Sequence, residues 1–211
     1  MITRCVLLLG IAGLVCTAQE KFEIGGAAGY GLYKNRTITR GSATAEAGFR
    51  SGLLFSIVGG NDMHRLVGGE VRYTRRDNDL KLSSGGTDAT FSGEAHILHY
   101  DMLIHAAPRE ARLRPFIAFG GGIKYYRGTG TEQEVQPLQN FAILTRTSEW
   151  LPLLSVGGGV KFRIAKHALV RFDFRDYMTP FPTRVILPAG GASVSGWLHD
   201  LTPMVGISAF F

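Results

Sequence analysis

The run Phe116-Ile117-Ala118-Phe119-Gly120-Gly121-Gly122-Ile123-Lys124-Tyr125 and its echo Leu154-Ser155-Val156-Gly157-Gly158-Gly159-Val160-Lys161-Phe162 decide the fold. In the first, Ile117, Phe119, Ile123 and Tyr125 oppose Arg114, Ala118, Gly120, Gly122 and Lys124. In the second, Leu154, Val156, Val160, Phe162 and Ile164 oppose Ser155, Gly157, Gly159, Lys161 and Arg163. Alternation with period two is the mark of a strand whose two faces meet different surroundings. The glycine triplet has no Lys-Ser/Thr and no helical pattern behind it, which excludes a phosphate-binding loop.

The same alternation continues in both directions and predicts eight strands. Working outward, the other segments are 21–33, 42–57, 65–77 and 89–106 before the first run, and 168–178 and 198–211 after the second. The even-to-odd links are short: Val58–His64, Ala107–Leu113 and Lys166–His167. Of the others, Lys34–Gly41 is modest and Asn78–Asp88 is polar and glycine-rich, while Gly128–Trp150 and Thr179–Trp197 are long. A meander with short turns at one end and long loops at the other fits a closed membrane barrel, since hydrocarbon offers no water to satisfy an open sheet edge.

The remaining composition narrows the class. The chain has 211 residues, suiting one domain, with 28 Gly and 13 Phe and no leucine-rich helical run, which argues against a helical bundle and a disordered tail. The formal charge is +6, but acids are interspersed with bases and no Lys/Arg block occurs, so no nucleic-acid partner is expected. Arg4 precedes the apolar run Cys5–Val15, which ends in Cys16-Thr17-Ala18. These are the parts of a secretory signal peptide over residues 1–18, cleaved after Ala18, with the barrel domain over 19–211. Both cysteines leave with it, so no disulfide is expected in the exported chain.

The less apolar faces carry the charges Glu23, Glu46, Arg50, Glu70, Arg72, Asp101, Arg114, Lys124, Lys161, Arg163, Arg171, Asp173 and Arg175, interleaved with glycines. An eight-stranded interior is only just wide enough for side chains, so small residues beside large charged ones point this face inward. It is expected to form a paired charge network that largely fills the lumen. Tyr30, Tyr33, Tyr73, Tyr125, Tyr126, Trp150, Tyr177 and Trp197 cluster toward the long-loop end, with Phe22 and Phe211 at the opposite rim. They are expected as interfacial girdles.

With its signal peptide, the two quoted strands and the terminal Val205-Gly206-Ile207-Ser208-Ala209-Phe210-Phe211, the chain resembles the eight-stranded outer-membrane β-barrel family of Gram-negative bacteria, which includes the OmpA-type membrane domain. The resemblance implies an all-β, eight-stranded antiparallel up-and-down transmembrane β-barrel in a bacterial outer membrane. Its implied partners are membrane lipid and lipopolysaccharide. It further implies that Phe211 is read as an insertion signal by the barrel-insertion machinery. The chain ends at Phe211, so no cell-wall-binding domain is expected to follow. A monomer without cofactor or metal is expected.

Candidate chemistry is sparse. His99, Asp101 and His105 share one face of their strand, so His99 and Asp101 can form a metal half-site or a base with its orienting acid. His99 and His105 lie roughly 20 Å apart at about 3.3 Å per residue, too far to share an ion. A buried polar network is the stronger reading. Glu94 and His96 fall on the lipid-facing parity, which places them above the hydrocarbon or calls for a bulge. Ser195, His199, Ser148 and Glu149 lie toward the outer rim with nothing to fix them as nucleophile, base and orienting acid. The expected role is therefore a non-enzymatic membrane scaffold with outward loops near 34–41, 78–88, 128–149 and 179–197. A small porin-like channel, a lipid-A-modifying enzyme and a soluble lipocalin-like carrier are the alternatives.

Overall fold

A computed structural model describes residues 22–211; the signal-peptide reading and Lys21 lie outside them. The regular elements of the described residues are all strands: β1 (Phe22–Lys34), β2 (Arg36–Arg40), β3 (Ala43–Phe49), β4 (Gly52–Asp62), β5 (Val67–Asp77), β6 (Leu80–Ser84), β7 (Thr87–Phe91) and β8 (Gly93–His105). The second half adds β9 (Leu113–Gly128), β10 (Ala142–Leu144), β11 (Ser148–Ala165), β12 (Ala168–Pro180), β13 (Ile186–Pro188), β14 (Ala192–Ser193) and β15 (Trp197–Phe210).

Eight of these close a barrel in the order β1-β15-β12-β11-β9-β8-β5-β4, with every neighbouring pair antiparallel. Closure is made by β1 against β15, Ile24 facing Ala209 and Tyr33 facing Asp200. The backbone of Phe22 also exchanges hydrogen bonds with Phe211 at 2.9 and 3.0 Å.

The faces are inverted relative to a water-soluble barrel. Leu53, Phe55, Ile57, Val71, Leu98, Ile117, Phe119, Phe172, Val205 and Ile207 are exposed on the outside, while Arg72, Arg76, Arg171 and Arg175 are fully buried within. Exposing a continuous apolar belt is costly in water and favourable in hydrocarbon. The soluble carrier, which needs its apolar rows inside, does not fit this arrangement. Tyr30, Tyr73, Trp150 and Trp197 face outward, and Tyr125 packs against Trp150 with ring centroids 4.6 Å apart. Tyr33, Tyr126 and Tyr177 do not join this girdle. Their positions fall on the inward parity, and burial is compatible with a phenol only because each hydroxyl finds a polar partner inside.

The lumen glycines do more than leave space. A Cβ at Gly120 would meet the backbone oxygen of Tyr100 at 1.9 Å, and one at Gly157 would meet that of Phe174 at 2.1 Å. These positions let adjacent strands curve tightly toward one another, which a narrow barrel demands.

The long-loop end departs most from the sequence reading. Segment 42–57 is two elements, β3 and β4, and segment 89–106 is also two, β7 and β8. β14-β2-β3-β6-β7 form a five-stranded sheet above the barrel, and β10 pairs with β13. These outward segments enclose an apolar core that includes Ile38, Phe49, Leu80, Leu82, Phe91, Phe141, Leu144 and Ile186. The segments read as outward loops thus make a folded cap. Glu46 and Arg50, expected in the lumen, belong to this upper part and are exposed. Glu46 faces Ser83 across the cap sheet, and Arg50 lies 3.9 Å from Asp79. The physical reason is the break at Arg50-Ser51, where the chain leaves β3 before entering the barrel at Gly52.

Candidate functional site in the barrel lumen

Inward positions of β1, β5, β8, β9, β11, β12 and β15 converge on one charge network. At its centre, Glu70 accepts from Arg72 Nε at 3.0 Å, from Arg72 Nη2 at 2.7 Å and from Arg171 Nη2 at 2.6 Å. Asp173 accepts from Arg171 Nε at 2.8 Å and from Arg72 Nη2 at 3.1 Å. Toward the short turns, Arg171 Nη1 reaches Glu23 at 2.9 Å, and Lys161 also binds Glu23. Toward the long loops, Arg175 Nε donates to Asp101 at 3.1 Å, and Ser155 Oγ does so at the same distance.

An outer tier follows. Asp200 accepts from Arg76 Nη1 at 2.5 Å and from Lys124 Nζ at 2.8 Å. Lys124 also donates to the Tyr33 hydroxyl at 2.9 Å, which donates to Asn78 at 2.5 Å. The Arg76 guanidinium lies over the Tyr33 ring, 4.4 Å from its centroid. Above it, Phe49 stacks on Tyr126 at 4.9 Å and packs against Tyr33 at 5.1 Å. The apolar cap is therefore seated directly on the charged lumen.

Five buried carboxylates (Glu23, Glu70, Asp101, Asp173 and Asp200) here face six cations (Arg72, Arg76, Lys124, Lys161, Arg171 and Arg175) among the described residues. Desolvating so many ions is offset only where each is paired and hydrogen-bonded, and the multiple contacts meet that demand. Fully buried arginines occupy the middle of the lumen, so side chains rather than water fill it.

Arg114 and Arg163 lie nearer the short-turn mouth. Arg114 Nη1 binds Asp62 at 2.9 and 3.1 Å, and Arg109 Nε binds it at 2.9 Å. The outward row of β4 turns polar at Asn61, so Asp62 lies beyond the apolar band. Burial raises its carboxyl, but the hydrogen bonds and charges of Arg114 and Arg109 outweigh that and hold it below the usual carboxylate range. Arg163 donates to the Arg109 carbonyl at 2.9 Å.

Arg76, Asp200 and Asp62 were missed, although each continues the inward alternation of its strand. Tyr33, Tyr126 and Tyr177 also continue the inward alternation of their strands, and that parity is the signal that separates these lumen phenols from the outward girdle.

The His99–Asp101 pair is made, Nδ1 to Oδ1 at 3.0 Å, and Nε2 lies 3.2 Å from the Tyr177 hydroxyl. Asp101 is also held by Ser155 and Arg175, so the imidazole, engaged at both ring nitrogens, is one member of a wider polar network. No cluster of three or more His, Cys, Asp or Glu side chains suited to a metal occurs among the described residues. His199 Nδ1 pairs with Asp176 at 2.7 Å on the outward face, and no hydrogen bond among the described residues joins it to Ser195 or Ser148. Glu149 accepts from the Arg184 backbone at 2.9 Å. Glu94 and His96 stay outward without a register shift, Glu94 lying 3.4 Å from both Arg75 and Arg127.

No protein-family model matches the chain, and no curated protein matches it. Among solved structures it is similar to Neisserial surface protein A, with 10% identity, a TM-score of 0.57, and coverage of 90% of this chain and 97% of that one. It is also similar to outer membrane protein AlkL as determined in DMPC lipid bilayers, with 12% identity, a TM-score of 0.52 and 92% of each chain covered. These likenesses carry the fold, that of an eight-stranded outer-membrane β-barrel.

Proposed function

We propose that the protein is a non-enzymatic scaffold of a bacterial outer membrane, whose barrel carries a folded cap to the cell surface. The filled lumen is the observation that carries this reading: Arg72, Arg171 and Arg175 are buried and bound to Glu70, Asp101 and Asp173 across its width. The apolar cap core supports it by roofing the same passage. Against catalysis stands the pairing of each candidate base, since His99 is saturated within the lumen and His199 holds no hydroxyl nucleophile.

The membrane location rests on the exposed apolar belt and the fold likeness together. Phe211 beside the closing Phe22 suits a terminal insertion signal in a protein surrounded by lipid and lipopolysaccharide, acting as a monomer. Planar-bilayer recording on the purified protein tests the plug: a silent membrane is expected, and regular unitary openings would replace the scaffold with a channel.

A further inference from the structure

The short-turn mouth holds a recess that the plug does not use, lined by Glu23, Asp62, His105, Arg114, Lys161 and Arg163 among others. It encloses about 40 Å³, more than the ~10–15 Å³ that one water requires. Its acids are already engaged, Asp62 by Arg114 and Arg109, Glu23 by Lys161 and Arg171. Arg163 differs. Its guanidinium lies 4.6 Å from the Phe210 ring centroid and donates to a backbone carbonyl, but it pairs with no carboxylate among the described residues. His105 differs further: only 2% exposed, it has no partner at either ring nitrogen.

Buried polar groups are ordinarily satisfied, and an imidazole beside arginine and lysine lacks an acceptor for its N–H. The recess is cationic overall, and exposed Arg65, Arg112 and Lys166 surround the same end with Glu110 as the exposed acid of its turns. Such a funnel concentrates anions. We propose that this mouth binds a small oxyanion, a phosphate or carboxylate group, received by the Arg163 guanidinium and a ring N–H of His105. A planar guanidinium suits either group through paired hydrogen bonds. The site opens on the side opposite the cap, so its ligand comes from the compartment beneath the membrane.

The folded protein in detergent is titrated at low salt with inorganic phosphate and, separately, with succinate, by calorimetry and by 15N NMR of the histidine rings. Saturable binding by at least one anion is expected, with movement of the His105 ring signals, and the tighter anion identifies the group recognised. Arg163→Gln is expected to weaken binding about tenfold or more, the usual effect of losing a hydrogen bond to a charged group. His105→Phe is expected to weaken it as well. Arg75→Gln, at the opposite rim, is the control and leaves affinity unchanged. Boiled and unboiled electrophoresis shows that each variant is folded. No saturable binding of either anion, or undiminished affinity in folded Arg163→Gln, overturns the proposal.

Discussion

Replacing Arg171 with methionine tests whether the lumen network holds the barrel together. This guanidinium bonds three acids at once: Glu23 at 2.9 Å, Glu70 at 2.6 Å and Asp173 at 2.8 Å. Methionine is similar in length and flexible, so little cavity remains and the loss is mainly of charge. Removing one partner of a buried ion pair costs about 3–5 kcal/mol, because the abandoned charge stays desolvated. Glu70 and Asp173 keep Arg72 at 2.7 and 3.1 Å, and Glu23 keeps Lys161. The expected loss therefore lies near about 3 kcal/mol, the lower end of that range.

The comparison is Arg75→Met. Arg75 lies 3.4 Å from Glu94, with 60% of its side chain exposed, and loses less than about 1 kcal/mol. Both variants are unfolded reversibly by urea in lipid vesicles, followed by the fluorescence of Trp150 and Trp197. If Arg171→Met costs no more than Arg75→Met, the lumen is effectively hydrated and the network does not stabilise closure.

Other consequences follow from the same geometry. Gly120→Ala forces a Cβ to within 1.9 Å of the Tyr100 carbonyl and should cost at least about 1–3 kcal/mol, whereas Gly59→Ala meets nothing within 4 Å and should be near neutral; the same urea assay compares them. Phe49→Ala should loosen the cap by on the order of 3–5 kcal/mol, seen as faster hydrogen exchange and proteolysis at 35–51 while heat-modifiable electrophoretic mobility persists. Asp62 is ionised more readily folded than unfolded, so its contribution is present above the unfolded value of about 3.9 and fades as pH falls toward the lower folded value. The stability gap between the parent and Asp62→Asn should accordingly be full near neutrality and shrink below about pH 4; a gap independent of pH would refute the Asp62–Arg114 assignment.

The barrel strands are legible because lipid outside and charge inside impose opposite demands on successive residues, as in Val71-Arg72-Tyr73-Thr74. The cap is not legible for the same reason. Ala45, Ala47 and Phe49 alternate just as Leu53, Phe55 and Ile57 do, yet the first three are buried under the cap and the last three are exposed on the belt. Period two reports that one face is apolar, not what covers it. Charges in the lumen could be assigned to a face but not to partners. Arg72 meets Asp173, and Arg76 meets Asp200, from strands that are not neighbours in the sheet. Such pairs depend on barrel curvature, which no local pattern encodes.

That non-adjacency bears on how the chain selects its register. A slip of one residue turns every apolar side chain inward and is rejected by lipid at once. A slip of two preserves parity, and the belt is blind to it. The lumen is not. A two-residue displacement moves a side chain about 6.6 Å along the strand, far beyond the 2.6–3.1 Å of the contacts made by Arg171. The alternating Arg171, Asp173 and Arg175 make this stricter, since a shift of two sets Asp173 at one of the levels where Glu70 and Asp101 now meet an arginine, and Leu169 or Tyr177 at the other. Same-strand contacts such as Arg72–Glu70 can form before closure, whereas Lys124–Asp200 and Lys161–Glu23 require strands that meet only across the finished lumen. The apolar rows thus select a membrane barrel, and the buried ions select which barrel, a division of labour that also accounts for so much charge in a lumen filled by side chains.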